Sequence, residues 1–215
     1  MSKEFTYSTK PQDEKRYTEE QNQFYTKTAG FYDWSVKALP VWKTWITSVI
    51  PHIEGPRVLE ASFGTGYLLM QYAGRFDTFG IDYNEKMVAT AKSNLEKKGI
   101  TAKLEQGNVE SLPYKDEMFD SIVSTMAFSG YPDEIKAMSE LHRVLKKGGR
   151  LLMVDINYPA NKNWIGMKTV QLWISLGDII RDIGAIFEQF GFAHTDEEIG
   201  GFGCVHLYIA EKVQE

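Results

Sequence analysis

Two carboxylates and a glycine turn stand at a spacing that is typical of a nucleoside-binding site. The segment 57–67 reads R-V-L-E-A-S-F-G-T-G-Y, in which a short apolar run ends at Glu60 and is followed by Gly64 and Gly66. Glycine tolerates positive φ, so such a turn lets the backbone come close to a ligand. Asp82 follows 22 residues after Glu60 and ends a second apolar run. An acid at that place in a doubly wound sheet hydrogen-bonds a ribose, so the pattern predicts a nucleoside ligand.

The glycine spacing separates two classes of nucleoside ligand. A dinucleotide fingerprint needs G-x-G-x-x-G. Counted from Gly64 its last position is Leu69, and counted from Ser62 it is Tyr67, so neither register fits. Glu60, just before the turn, is an unfavourable neighbour for a pyrophosphate and suits a ligand with a positive amino group. An NAD-type oxidoreductase on a similar fold remains the alternative.

The segment 60–66, E-A-S-F-G-T-G, resembles motif I of the class I S-adenosylmethionine (SAM) methyltransferases, (E/D)-x-G-x-G-x-G, with Ser62 in place of the first glycine. The likeness covers about residues 25–212. It is closest to the ubiquinone/menaquinone-biosynthesis methyltransferases (methyltransferase type 11) and to the bacterial phospholipid N-methyltransferases. One motif alone is weak, so the order of several motifs carries the assignment.

Three further segments resemble this family in the expected order. Residues 107–114, G-N-V-E-S-L-P-Y, resemble G-D-A-E-x-L-P-F with Asn108 in place of the acid, and residues 119–125, F-D-S-I-V-S-T, match F-D-x-I-x-S. Residues 141–151, L-H-R-V-L-K-K-G-G-R-L, resemble L-x-R-V-L-K-P-G-G-x-L with Lys147 where proline is usual. Four motifs separated by the right elements favour a methyltransferase.

The resemblance implies SAM as methyl donor and S-adenosyl-L-homocysteine (SAH) as product. Each part of the cofactor is assigned to residues at strand ends or in the N-terminal helices. The amino-acid end is expected at Glu60, Ala61, Ser62, Phe63, Gly64 and Gly66, the ribose at Asp82, the adenine at Tyr83, Met87, Asn108 and Val109, and the sulfonium side at Ser124, Thr125 and Met126. An F-Y-D segment that touches the cofactor in related enzymes adds Tyr32, with Tyr25 as a second contact.

The expected reaction is in-line displacement of the methyl group by a small acceptor that is apolar, aromatic or lipid-like. The sulfonium is already electrophilic, so the protein mainly aligns acceptor, methyl and sulfur. A base is obligatory only when the acceptor must first lose a proton, so no catalytic residue is assigned. The departures at Ser62, Asn108 and Lys147 leave a non-catalytic SAM-binding module as a third hypothesis.

The acceptor pocket is expected among aromatic and polar residues outside motif I. This substrate side is assigned to Tyr131, Asn157, Tyr158, Trp164 and Trp173. Aromatic faces also attract cations, so an amine acceptor is a further possibility. His194 and His206 are late candidates for a base, although packing is the commoner role of such histidines.

The elements that position these residues alternate between strands and helices. Strands are predicted at 57–60, 77–81, 102–106, 119–125, 150–155, 193–199 and 204–212. They indicate an α/β protein with a Rossmann-like seven-stranded sheet, helices on both faces, and a C-terminal hairpin whose last strand is antiparallel. A flexible tail over 1–16 is expected before a single domain, 17–215, with N-terminal lid helices at 17–50 and a substrate-side insertion at 156–177.

The net charge, the cysteine count and the distribution of apolar residues limit the kinds of partner that this chain can bind. The net charge of −5 disfavours binding to a phosphate backbone, and the single cysteine, Cys204, excludes an internal disulfide and a cysteine-cluster metal site. Charged residues interrupt the longest apolar region, 164–192, so no membrane span is expected. The N-terminus has no apolar core, so the expected location is the cytoplasm. The partner is expected to be a small molecule, with no metal and no nucleic acid.

Overall fold

Parallel strands form the centre of the molecule. The computed structural model describes residues 5–38 and 40–213, without the side chains of 29–38. Within these residues seven strands form one sheet: β1 (Arg57–Ala61), β2 (Asp77–Asp82), β3 (Lys103–Gln106), β4 (Phe119–Thr125), β5 (Leu145–Ile156), β6 (Phe192–Gly200) and β7 (Val205–Lys212). Their order is β3-β2-β1-β4-β5-β7-β6.

The last strand confirms the predicted fold class. β7 runs antiparallel to both β5 and β6, with Met153 opposite Tyr208 and Asp196 also opposite Tyr208. The other strands run parallel to one another, as in β1 with β2 and β4 with β5. A dinucleotide-binding fold would end on another parallel strand, so this topology does not favour the NAD-type alternative.

Helices follow the strands and begin at side-chain caps. They are α1 (Glu14–Ala38), α2 (Pro40–Thr47), α3 (Leu69–Tyr72), α4 (Glu85–Glu96), α5 (Glu134–Val144), α6 (Trp164–Ser175) and α7 (Ile183–Gln189). Asn84, Asp133, Asn163 and Asp182 each accept a hydrogen bond from a backbone N–H in the first turn of α4, α5, α6 and α7. Such caps satisfy N–H groups that the helix itself leaves unpaired.

The core occupies both faces of the sheet because neighbouring strand residues point to opposite sides. Val58 belongs to the cluster packed under α3 and α4, whereas Leu59 belongs to the cluster packed under α5 and α7. Cys204 is fully buried in the first cluster, and burial raises the pKa of its thiol to about 11. The two-sided burial explains why the strands read as apolar runs rather than as alternating patterns.

Several elements differ from the predicted bounds, among them β5, α3 and α7. β5 begins at Leu145 rather than 150, because Leu145 already pairs with Phe119 before an irregular stretch in the ladder. The apolar run after the glycine turn predicts a helix over about 66–73, of which α3 covers only Leu69–Tyr72. The pattern of residues 178–190 predicts one helix, but α7 begins at Ile183, because Asp182 caps it and the preceding residues form an irregular segment.

Residues 5–13 pack against the domain. Phe5 stacks on Tyr158 with ring centroids 4.8 Å apart, and the Tyr7 ring meets the same Tyr158 edge-on at 5.7 Å. The Ser8 N–H donates to the Ile180 carbonyl at 2.8 Å. These contacts differ from the flexible tail expected over 1–16, because two aromatic rings in this segment find apolar partners.

Candidate functional site

A cavity of about 160 Å³ opens at the carboxyl ends of β1, β2 and β4. The sheet side contributes the residues that follow these strands, and α1 covers the opposite side. The sheet-side lining includes Ser62, Gly64, Asp82, Tyr83, Asn84, Met87, Asn108, Val109, Glu110, Thr125, Met126 and Tyr131. α1 contributes Thr18, Gln21, Asn22 and Tyr25. The carboxyl ends of parallel strands are where open α/β sheets place their ligands.

The turn after β1 has the backbone geometry that its sequence predicts. Gly64 and Gly66 have φ values of 55° and 76°, in the left-handed region where glycine is favoured. A Cβ on Gly66 would lie 2.9 Å from the Ala91 Cβ, so this glycine allows α4 to pack close to the turn. Ser62 also has a left-handed φ, 58°. A serine therefore tolerates here the conformation for which the family pattern has glycine.

Asp82 ties the glycine turn to the start of α4. Its Oδ2 accepts a hydrogen bond from the Gly64 N–H at 2.8 Å, and its Oδ1 accepts one from the Asn84 N–H at 2.9 Å. The side chain is buried, and burial raises the pKa of Asp82 to about 6 against the opposing effect of these two bonds. A carboxylate offers about four acceptor positions, so the group can still accept hydrogen bonds from a ligand in the cavity.

Asn84 connects α4 to the helix that covers the cavity. Its Oδ1 caps α4 by accepting from the Met87 N–H at 3.0 Å. Its Nδ2 donates to the Asn22 Oδ1 at 2.6 Å and to the Thr26 Oγ1 at 2.7 Å. These bonds attach α1 to a residue that lies two positions after Asp82.

Asn108 sits in the loop after β3 with its amide already oriented. Its Oδ1 accepts from the Glu110 backbone N–H at 2.9 Å, which forms an Asx turn. Since a backbone donor requires the oxygen at that position, the Nδ2 is the opposite end of the amide. The side chain keeps both donor and acceptor capacity on the cavity wall.

A smaller cavity of about 30 Å³ lies on the other side of the glycine turn, and Glu60, Phe63 and Thr65 are among its lining residues. Glu60 is buried and its Oε2 accepts from the Tyr72 hydroxyl at 2.8 Å. Burial raises the pKa of Glu60 to about 8, although the Tyr72 bond opposes the shift. In the described part of the chain the buried Thr65 Oγ1 has no hydrogen-bond partner.

Tyr131 closes the cavity wall near motif I. Its hydroxyl and the Ser62 Oγ share a hydrogen bond at 2.9 Å. Burial raises the pKa of Tyr131, which keeps the hydroxyl protonated. The serine that replaces the family's glycine therefore anchors an aromatic side chain on the predicted substrate side.

The two cavities bring most of the predicted cofactor residues together. The larger one gathers Tyr25, Ser62, Gly64, Asp82, Tyr83, Met87, Asn108, Val109, Thr125 and Met126, and the smaller one adds Glu60 and Phe63. Ala61 and Ser124 are fully buried in β1 and β4, and with Gly66 they are not part of either lining. The side chain of Tyr32 lies outside the described residues.

Only some of the residues predicted on the substrate side lie at the two cavities. Tyr131 lines the larger cavity, and Trp173 packs on Trp42, a lining residue of the smaller one. Asn157 donates through Nδ2 to the Tyr208 hydroxyl at 2.7 Å, and Tyr158 is covered by Phe5, so both are occupied in packing. The remaining residue, Trp164, is 74% exposed on the outer surface of α6 and lies apart from both cavities.

The two late histidines also lie away from these cavities. His206 Nδ1 is 2.6 Å from the Asp196 Oδ1, and its Nε2 is 3.0 Å from the Gly203 carbonyl oxygen. The His194 ring packs against Phe187 with centroids 5.3 Å apart. Both contacts are those of packed sheet residues.

Sequence reasoning missed several lining residues. This group includes Thr18, Gln21 and Asn22 of α1, together with Asn84, Glu110 and Asp178, whereas Tyr25 of α1 was predicted. For Asp178 a signal exists, because Gly177 directly after an apolar helix marks its end and leaves the next residue in a loop. The apolar pattern of residues 178–190 instead predicts a helix that begins at Asp178, whereas α7 begins at Ile183.

A parallel sheet closed by an antiparallel last strand, with a glycine turn after β1 and a buried acid after β2, defines the fold class of the SAM-dependent methyltransferases. The profile of a family described as "Methyltransferase domain" matches residues 53–184, which is more than half of the chain. The chain belongs to this family, and its domain is that of a class I SAM-dependent methyltransferase.

Two curated relatives illustrate the similarity. The chain is 34% identical over 111 residues to the phosphatidylethanolamine N-methyltransferase of Cereibacter sphaeroides, covering 51% of this chain and 55% of the relative. It is 25% identical over 183 residues to the ubiquinone/menaquinone biosynthesis C-methyltransferase UbiE of Pectobacterium carotovorum subsp. carotovorum, covering 81% and 65%. The chain thus spans between about half and two thirds of the length of these relatives.

Solved structures agree on the fold. The YcgJ protein of Bacillus subtilis has a TM-score of 0.68 at 22% identity, with 80% of this chain and all of that chain covered. A Thermotoga maritima SAM-dependent methyltransferase, described as a possible histamine N-methyltransferase, has a TM-score of 0.69 at 17% identity, with 88% and 99% covered. At these identities the likeness concerns the fold alone.

Two features are absent from the described ranges, a membrane-spanning helix and a cluster of metal ligands. None of the helices there combines the length and apolar character needed to cross a bilayer. The same residues contain no group of three or more His, Cys, Asp or Glu side chains placed to hold a metal ion.

Proposed function

We propose that the protein transfers a methyl group from SAM to a small acceptor that is apolar, aromatic or lipid-like. The observation that carries this proposal is the position of Asp82. Its carboxylate is fixed by the Gly64 and Asn84 N–H groups on the wall of a cavity at the carboxyl ends of the strands. A fixed acceptor with spare hydrogen-bonding capacity suits the two hydroxyls of a ribose.

The smaller cavity fits the amino-acid end of the cofactor. Glu60 offers a buried carboxyl group to an ammonium, and the unpartnered Thr65 hydroxyl offers a donor to a carboxylate. Both groups gain a partner when such a zwitterion enters, which removes the penalty of leaving a buried polar atom unpaired. Four of the motif I residues that are assigned to the amino-acid end of the cofactor line this cavity: Glu60, Ser62, Phe63 and Gly64.

The adenine edge is assigned to the loop after β3. Asn108 keeps a free position on its Oδ1 besides the bond from the Glu110 N–H and presents an Nδ2 donor, so it can meet the exocyclic amine or a ring nitrogen. Tyr83 and Met87 line the same cavity and provide apolar surface for the ring faces. These residues bind and orient the nucleoside.

The bound cofactor supplies a methyl group on a sulfonium, so the chain's own task is alignment and exclusion of water. α1 covers the cavity and is held by the bonds from Asn84 to Asn22 and Thr26. The Ser62–Tyr131 hydrogen bond fixes the wall on which the acceptor is expected. We propose that residues 17–50 act as the lid and that Tyr131 contacts the acceptor.

The relatives support a lipid-like acceptor. One is named for phosphatidylethanolamine and the other for ubiquinone and menaquinone biosynthesis. The apolar and aromatic lining from Val109, Met126 and Tyr131 is compatible with such a molecule.

Isothermal titration with SAM and SAH tests the cofactor role. We expect both to bind, and Asp82→Asn to weaken binding by about tenfold or more, because the negative charge is lost and one acceptor oxygen becomes an NH2 group that cannot accept from a hydroxyl. Asp77→Asn is the matched control, since Asp77 lies on the same strand but pairs with Lys103 on the surface. Failure of both ligands to bind, or undiminished binding by Asp82→Asn, would refute the assignment.

Mass spectrometry of a cell extract incubated with the protein and methyl-labelled SAM tests turnover. Binding of SAM without turnover would favour the non-catalytic module.

A further inference from the structure

A carboxylate that the proposed cofactor contacts do not use lies on the same cavity. Asp178 lines the larger cavity from the segment between α6 and α7. Gly177, with φ of 108°, turns the chain at the end of α6, and its carbonyl accepts from the Tyr17 hydroxyl of α1 at 2.8 Å. On the other side the Ile179 N–H donates to the Ser129 carbonyl at 2.8 Å. Backbone bonds on both sides therefore fix the position of Asp178.

The carboxylate itself is oriented by Ser129. The Ser129 hydroxyl donates to the Asp178 Oδ1 at 2.7 Å. The Ser129 N–H in turn donates to the Asp155 Oδ2 at 3.2 Å, and Asp155 is fully buried. One bond from Ser129 leaves acceptor capacity on Asp178, because a carboxylate accepts up to about four hydrogen bonds. The Ser129 bond therefore orients the Asp178 carboxylate and does not use all of its acceptor positions.

The surroundings of Asp178 keep it available as an anion near neutral pH. Tyr17 and Tyr25 of α1 and the Asp155 carboxylate lie within electrostatic reach. Burial raises the pKa of Asp178 to about 6, with Asp155 adding to the shift and the Ser129 bond opposing it. Above that pH the carboxylate is charged, and a buried charge gains from a cationic partner.

The charged side chains that line the larger cavity are all acidic. Asp82, Glu110 and Asp178 line it, whereas the described lining residues include no Lys, Arg or His. The nearby Arg181 is buried and donates to the Phe128 and Tyr131 carbonyls. An acceptor that carries a carboxylate or phosphate in this cavity would meet repulsion, and one that carries a cation would meet attraction.

From this geometry we infer that Asp178 is the binding residue for the acceptor, and that the acceptor class is an amine joined to an apolar or aromatic group. The ammonium donates a hydrogen bond to Asp178, while Tyr25 and Tyr131 provide the aromatic surface beside it. This inference rests on the proposed methyltransferase function, and it narrows the acceptor from any apolar molecule to one with a positive end.

Three matched probes test it in protein saturated with SAH. Phenethylamine, 2-phenylethanol and 3-phenylpropionate share one ring and chain and differ in the charge of the end group. SAH is used because it lacks the sulfonium charge. We expect phenethylamine to bind about tenfold more tightly than the alcohol, and the carboxylate to bind most weakly. In Asp178→Asn the amine and the alcohol should bind within about twofold of each other, while Asp178→Glu should keep much of the preference.

Glu110→Gln is the matched control, because it removes one negative charge from the same cavity wall. It should keep the preference for the amine. The inference would be overturned if Glu110→Gln lost as much of the preference for the amine over the alcohol as Asp178→Asn does. It would also be overturned if Asp178→Asn kept that preference, or if phenethylamine did not bind up to about 10 mM. SAH affinity is measured on the same proteins. SAH binding without amine preference refutes this inference alone, whereas no SAH binding to the unaltered protein refutes the proposed function as well.

Discussion

The proposed contact between Glu60, the buried acid before the glycine turn, and the cofactor's amino group has a consequence for protonation. The pKa of Glu60 is about 8, mainly because burial disfavours the charged form. An ammonium placed beside it favours the charged form and lowers that pKa. At neutral pH the carboxyl group is mostly protonated before binding and ionised after it. Binding at the smaller cavity should therefore release a proton from this residue.

We predict that SAH binding near pH 7 releases up to about one proton. Isothermal titration in buffers with different ionisation enthalpies measures this number directly. Glu60→Gln, which keeps a carbonyl oxygen for the Tyr72 hydroxyl, should release close to none. If the observed binding enthalpy is the same in every buffer, then Glu60 does not meet the ammonium.

The residue scale also shows why some assignments could be made from sequence and others could not. Asp82 was identifiable because its distance from motif I is set by one strand and one helix. Asp178 was not, because a single acid among apolar residues reads equally well as a helix start. Its placement depends on Gly177 and on the distant Ser129, a pairing that sequence spacing does not reveal.

At the scale of elements, side-chain hydrogen bonds join α1 to the residue that caps α4. The Asn84 side chain donates to Asn22 and Thr26, and the Asn84 backbone N–H donates to the Asp82 carboxylate. The helix that covers the cavity is thus attached two residues after the proposed ribose contact. The proposed lid and the proposed nucleoside contact therefore lie in the same part of the structure.

We predict that the double variant Asn22→Ala/Thr26→Val speeds SAH dissociation by about tenfold, because each lost hydrogen bond contributes about 0.5–1.5 kcal/mol. Stopped-flow displacement gives the rate, and hydrogen exchange over α1 gives the opening. Thr28→Val is the control, since its hydroxyl donates to the Phe24 carbonyl within the same helix. An unchanged rate together with unchanged exchange would show that α1 is held by other contacts.

Strand bounds were predictable to within a residue or two where both faces of the strand are covered, as in β4. Apolar runs are the direct result of that burial. The rotation of α6 was not predictable, because Gly166 packs against the Phe202 carbonyl and this contact turns Trp164 outward. Tyr158 was misjudged for a similar reason, since Phe5 reaches it from a distant part of the chain. Tertiary contacts decide which face of a periodic segment meets the ligand.

At the scale of the whole molecule, buried carboxyl groups make stability depend on pH. The pKa of Glu60 is about 8 and those of Asp82 and Asp178 are about 6. All three lie above the values of about 4 expected in the unfolded chain. The folded state therefore holds more protons between these limits. Its stability is greatest at the acidic end of this window and falls as pH rises.

We predict that the free energy of unfolding of the ligand-free protein drops between pH 6 and pH 8, with Glu60 accounting for on the order of 2 kcal/mol. Urea unfolding at the two pH values measures it. Glu60→Gln should remove most of the drop, whereas Glu96→Gln, at an exposed position in α4, should leave it. A drop of the same size in Glu60→Gln would mean that another group titrates.

The seven-stranded sheet was predictable from the alternation of strands and helices and from the closing hairpin, whereas the acceptor was not. The proposed cofactor contacts lie on one backbone turn and on strand ends, and their spacing is visible in the sequence. The proposed acceptor contacts line the cavity from α1, from the loop after β4 and from the segment before α7, which are far apart in the chain. Their meeting is a property of the folded molecule.

The lone thiol gives this chain a practical advantage. Cys204 is fully buried and its pKa is about 11, so the reactive thiolate is scarce at neutral pH and the sulfur is shielded from reagents. A fluorophore attached through maleimide chemistry to Lys27→Cys, on the exposed side of α1, would therefore label one position without removal of the native cysteine. The movement of α1 could then be followed by the emission of a single dye in an otherwise unaltered protein.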